Sequence, residues 1–177
     1  MVGFDFSGIQ AEIAKMDRAF VRAAEGDALA YVYVHTQSRV LADKIAKTLA
    51  PALVQVTPYT SPEILVEMDI IYSRMVSLAP SYTVPYMVKG NFYGRCGEFE
   101  EAANCFKAAY NIAYDPTREK WPHVEPSKST GKLMVNLGLS LYHSGDRDEG
   151  QRFLEAGQKM MAKIKAKSPS EKPPEPL

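Results

Sequence analysis

Between Thr83 and Pro116, small and large residues alternate on a helical period around one turn glycine, and this pattern restricts the fold more than any other in the 177 residues. Gly90, Ala102 and Ala109 are small, and Tyr86, Tyr93, Phe99 and Phe106 are large. Small residues let two helices approach closely, and large ones fill the spaces between them. Pro85 opens the first helix, which ends near Cys96 and Gly97. Glu98 or Phe99 opens the second, which ends before Asp115 and Pro116. The segment therefore reads as an antiparallel helical hairpin.

The same residues resemble a tetratricopeptide repeat, whose skeleton spans 34 residues. Tyr86 stands at the first aromatic, Gly90 at the small position and Tyr93 three residues later; Gly97 makes the turn and Phe99 opens the second helix. Ala102, Phe106 and Ala109 follow at the family's spacings. Lys89 stands where leucine is usual, and Tyr114 where the closing proline is usual. A second, degenerate copy covers about 131–164. Asn136-Leu137-Gly138 and Gly145-Asp146 match, Met134 and Leu141 replace the aromatics, and Gly150 and Gly157 replace the two alanines around Leu154. Glycine in a helix costs roughly 1 kcal/mol against alanine, so this hairpin is expected to be the softer one. The turn glycines Gly97 and Gly145 lie 48 residues apart, so a 14-residue insertion separates the copies, matching the proline-rich stretch around Trp121.

Upstream, Met68, Tyr72, Met75 and Pro80 keep the spacing of a second repeat helix. Its first helix would fall near Ala50 to Pro62, where prolines interrupt it. Ser7 is expected to cap a first helix through about Ala24, in which Ile9, Ile13, Met16 and Phe20 recur on a helical period, and Glu25-Gly26-Asp27 ends it. A second helix runs from Ala28 to Leu49. Its Tyr31-Val32-Tyr33-Val34 favours strand by propensity, but Val40, Leu41, Ile45, Thr48 and Leu49 continue the helical period. Pro51, Pro58 and Pro62 frame a loop, and Ser61 caps a helix through about Leu78. The expectation is an all-α fold: tetratricopeptide-like antiparallel hairpins in a short solenoid within a single domain at 1–167. Helices in 7–60 pack as an N-terminal cap, 61–116 is the repeat region and 117–130 a loop insertion. The proline-rich tail 168–177 reads as disordered.

Lys plus Arg equals Asp plus Glu at 21 each, so no net charge draws the chain to nucleic acid or acidic lipid. From Met1 to Glu125 there are 12 basic and 15 acidic residues, and from Pro126 onward 9 and 6, a small asymmetry. No apolar run is long enough to cross a bilayer. Cys96 and Cys105 are too few for a disulfide framework, and no secretory signal is evident, so the expected compartment is the reducing cytoplasm. His35, His123 and His143 form no ligand pair, so no metal and no cofactor is expected. Lys128-Ser129-Thr130-Gly131-Lys132 lacks the glycine and the hydroxyl residue that a phosphate loop needs. Lys159, Lys163, Lys165 and Lys167 read as a solvated helix end. No catalytic constellation is present, and the chain reads as no enzyme.

In the tetratricopeptide family the first helix of each repeat lines a concave groove. The resemblance places Val84, Met87, Asn91 and Arg95 there from the first copy, and Lys132, Val135, Asn136, Leu139, Tyr142 and His143 from the second. Such a surface suits a bound peptide or protein. Some relatives clamp a carboxylate with Lys and Asn; Asn91, Lys132 and Asn136 stand at matching places, whereas Met87 replaces a needed lysine. The implied role is a non-catalytic adaptor, scaffold or chaperone. The alternatives are a self-assembling protein that forms homo-oligomers through its repeat faces and an accessory subunit of an enzyme complex.

Overall fold

The computed structural model describes residues 5–114 and 127–167, and among them every regular element is a helix. The seven helices are α1 (Ser7–Ala24), α2 (Ala28–Gln55), α3 (Pro62–Leu78), α4 (Thr83–Cys96), α5 (Phe99–Ala113), α6 (Lys128–Ser144) and α7 (Arg147–Lys167). The Trp121 stretch and the tail lie outside the described residues.

Local chemistry sets the helix ends. Asp27 caps α2 by accepting from the Ala30 N–H at 3.0 Å, and Ser127 caps α6 by accepting from the Thr130 N–H at 3.1 Å. The turns after α1, α4 and α6 each place a glycine at positive φ: Gly26, Gly97 and Gly145. Three expected ends differ. Asp5, two residues before the first residue of α1, accepts from the Ser7 N–H, so Ser7 is not the capping side chain. Ser61 makes no side-chain cap bond, and α3 starts on the preset φ of Pro62. Pro51 lies inside α2, which runs on to Gln55. A proline removes one helical N–H and crowds the carbonyl four residues back. The helix survives because Leu49 and Ala52, on either side, are buried in the core.

The helices form antiparallel hairpins. Gly138 meets Gly150 and Leu154, and Gly131 meets Gly157 and Met161, so α6 and α7 run in opposite directions. Gly90 lies on Phe106 and Gly94 on Ala102, which fixes α4 against α5 in the same sense. Helices α1 and α3 run parallel, since Gln10 bonds Glu67 and Arg74 bonds Asp17 at one offset of 57 residues. Helices α2, α4 and α6 contact in succession.

Two apolar clusters result. The larger is centred on Met16, Ile45, Met68, Ile71, Tyr72 and Met75, with Phe92 from α4. The smaller gathers Ala102, Phe106, Ala109, Leu133, Leu137 and Leu141 from α5 and α6. Tyr93 packs against both. Phe20, expected on the buried face of α1, is 39 % exposed, and Ala19 takes the core position.

Candidate functional site

A cleft of about 600 Å³ opens where the end of α2 meets α4, α6 and the start of α5. Helix α2 supplies Ala50, Leu53 and Val54, and α4 supplies Gly90, Asn91, Gly94 and Arg95. Phe99 and Phe106 come from α5, and Asn136, Leu139, Ser140 and His143 from α6. The walls are largely apolar, with amide, guanidinium and imidazole groups spaced along them. This is the usual chemistry of a recognition cleft.

Contacts between elements hold the polar groups in place. The Asn136 side-chain amide donates to Asn91 Oδ1 at 3.0 Å, tying α6 to α4 across the cleft. One amide oxygen and one amide hydrogen are thereby satisfied internally. The Asn91 NH2 and the Asn136 carbonyl have no hydrogen-bond partner among the described residues and are the groups a ligand would meet. Arg95 donates to the Val54 carbonyl at 3.0 Å, which ties α4 to the last turn of α2. That carbonyl belongs to a helix end, where intrahelical donors run out. His143 stacks on Phe99 with ring centroids 4.7 Å apart, closing the far end between α6 and α5.

Five of the ten residues placed in the groove by the resemblance line this cleft together: Asn91, Arg95, Asn136, Leu139 and His143. The other five lie elsewhere. Val84 is half-buried near the start of α4, and Met87 packs against the smaller core. Val135 sits against Gly157 of α7, and exposed Lys132 does not line the cleft. Tyr142 stands outside it, with the Arg147 guanidinium 5.7 Å from its ring. Asn91, Lys132 and Asn136 therefore do not converge on one point, and the two amides bond each other. The α2 wall was absent from the expected set. Val54 follows Pro51 in a stretch that reads as loop, so no periodicity in the sequence marks it.

Lys89, at the position where the family has leucine, belongs to a different set of contacts. Its ammonium donates to Ser73 Oγ at 2.8 Å, lies 3.5 Å from Asp69 Oδ1 and sits over the Tyr93 ring. The Tyr93 hydroxyl donates to Asp69 at 2.8 Å. Burial first, then this bond to a carboxylate, pushes the Tyr93 phenol well above its ordinary range. The group fastens α4 to α3 and has no part in the cleft wall.

Burial pushes the thiols of Cys96 and Cys105 up to about 11. Thiols at that value are protonated at neutral pH and are poor nucleophiles. Among the described residues no group of His, Cys, Asp and Glu is placed to hold a metal, and no helix is long and apolar enough to cross a membrane. No family model, no curated protein and no solved structure matches the chain.

Proposed function

We propose that the chain is a tetratricopeptide-like interaction module that binds a segment of another protein in the cleft between α2, α4 and α6. One observation carries the reading. Helices α2, α4 and α6 line one cleft with apolar side chains and unspent amide groups, and Asn91 and Asn136 are oriented by their mutual bond. A bound segment would set apolar side chains against Leu53, Val54 and Leu139 and hydrogen-bond to the two amides. The repeat resemblance of 83–116 and 131–164 supports the same role, which is that of an adaptor, scaffold or chaperone without catalysis of its own.

The test is capture of a partner from the native lysate by the whole chain, followed by calorimetry with the purified partner. Leu139 is 44 % exposed, so Leu139→Glu leaves the fold intact while placing a charge on the wall. It is expected to weaken binding at least about tenfold, roughly 1.4 kcal/mol. Asn91→Ala removes a ligand contact together with the bond that orients Asn136, and a loss of similar size is expected. Undiminished affinity in both variants, with unchanged circular dichroism, refutes the cleft.

A further inference from the structure

The outward face of α2 is apolar and uncovered among the described residues. Leu29 is 82 % exposed, Val32 57 %, Val40 58 % and Val54 66 %. These residues fall on one line of three- and four-residue steps that also passes through Thr36, Asp43, Lys47 and Ala50. That spacing is one face of a helix, about 37 Å long at 1.5 Å per residue. Opposite this face, Val34, Leu41 and Ile45 enter the core, so the line faces out of the core, and its last two residues, Ala50 and Val54, also form part of the α2 wall of the cleft. The Thr36 hydroxyl is spent on its own helix, donating back to the Val32 carbonyl at 2.9 Å.

The line has a polar centre of a particular kind. Asp43 and Lys47 carry opposite charges one turn apart, with apolar positions on both sides. Lys47 is exposed and has no partner among the described residues. Asp43 accepts from the Tyr82 hydroxyl through one carboxylate oxygen, leaving the other unspent. Over 36–54 the two charges flank the midpoint, with Thr36 and Val40 on one side and Ala50 and Val54 on the other, so this stretch is complementary to itself when reversed, and Leu29 and Val32 lie beyond it. A two-fold axis makes that match: under it every contact occurs twice and each charge meets its opposite.

We propose that α2 pairs with α2 of a second copy of the chain, antiparallel, about a two-fold axis passing between Asp43 and Lys47. Asp43 of each copy then faces Lys47 of the other, Val40 faces Ala50 and Thr36 faces Val54. The two ion pairs at the centre fix the register, as polar residues do in helical seams. The apolar contacts on either side supply the attraction. The pairing covers Ala50 and Val54, which also line the cleft, so a second copy and a bound segment compete for that end of α2; the variants that test the pairing change no cleft residue.

The experiment is sedimentation equilibrium of the whole chain over a concentration series into the tens of micromolar. A dimer is expected. Val40→Glu should convert it to a monomer with unchanged helicity, because Val40 faces solvent in the single chain. Lys47→Asp, which gathers four carboxylates about the axis, should weaken the dimer at least about tenfold. The double variant Asp43→Lys with Lys47→Asp should restore it, since the charges then meet again with reversed sign. Loss with Val40→Glu and restoration by the swap establish both the face and its register. A monomer at every concentration overturns the proposal. So does a dimer that Val40→Glu leaves intact, or a charge-swapped chain that folds and stays monomeric.

Discussion

Tyr72 holds a hydroxyl in the core with no hydrogen-bond partner among the described residues. Its ring packs on Phe92 with centroids 5.2 Å apart, and burial drives the phenol pKa far upward. An unmade bond costs the desolvation of the group, whereas a made one returns about 1 kcal/mol net. Tyr72→Phe should therefore raise stability by about 1 kcal/mol. Tyr93→Phe, which loses the bond to Asp69, should lower it by about the same amount. Urea unfolding of the two variants checks the opposed signs, and a Tyr72→Phe protein less stable than the parent contradicts the orphaned hydroxyl. The helical period already places Tyr72 inward, beside Met68, Ile71 and Met75. It gives no sign of the hydroxyl's isolation, because a periodicity counts tyrosine as apolar and says nothing about what its oxygen meets.

Among the elements, the α6–α7 hairpin departs most from its expected character. Gly131 and Gly138 on α6 and Gly150 and Gly157 on α7 are each seven residues apart, and the pairs oppose each other across the interface. A Cβ at Gly138 would lie 2.7 Å from the Gly150 carbonyl oxygen and 2.7 Å from the Leu154 nitrogen. Both are backbone atoms that cannot turn aside. Gly138→Ala should therefore destabilise the fold by about 2 kcal/mol or more, despite a helix-propensity gain near 1 kcal/mol. Gly8→Ala is the control: nothing lies within 4 Å of its Cβ site, so it should gain up to about 1 kcal/mol. Thermal unfolding of the pair separates propensity from contact. Counted singly, these glycines read as weak points in a degenerate repeat. Their matched spacing in both helices was the available signal, and only the antiparallel pairing gives it meaning. Pro51 shows the converse limit: a local breaker was outweighed by the burial of Leu49 and Ala52.

Across the whole molecule, two cores meet at Tyr93, and the acidic groups held there share one response to pH. The thiols of Cys96 and Cys105 rise from an ordinary 9.0 to about 11, and the Tyr72 and Tyr93 phenols shift the same way. Between those thiol values the unfolded chain releases protons that the folded chain keeps, so stability falls as pH rises. Their contribution is fully present below about pH 9 and is lost through about pH 11. Urea midpoints measured from pH 8 to 11 should fall, and Cys96→Ser with Cys105→Ser should flatten the slope. The all-helical class and most helix boundaries were legible, because turn glycines, capping residues and apolar periods act locally. The cleft was legible by half. Asn91, Arg95, Asn136, Leu139 and His143 follow from repeat register, whereas Ala50, Leu53 and Val54 arrive from a helix whose end depends on the burial of its neighbours.

The paired glycines also limit how this chain can change over generations. Every other amino acid carries a Cβ, so no single replacement at Gly138 or Gly150 is gradual. Each would force the two backbones apart before any other substitution could make use of the space. Lineages that inherit this hairpin should vary freely along the exposed flank of α7 while these positions stay fixed, and drift should enter the molecule through its surfaces.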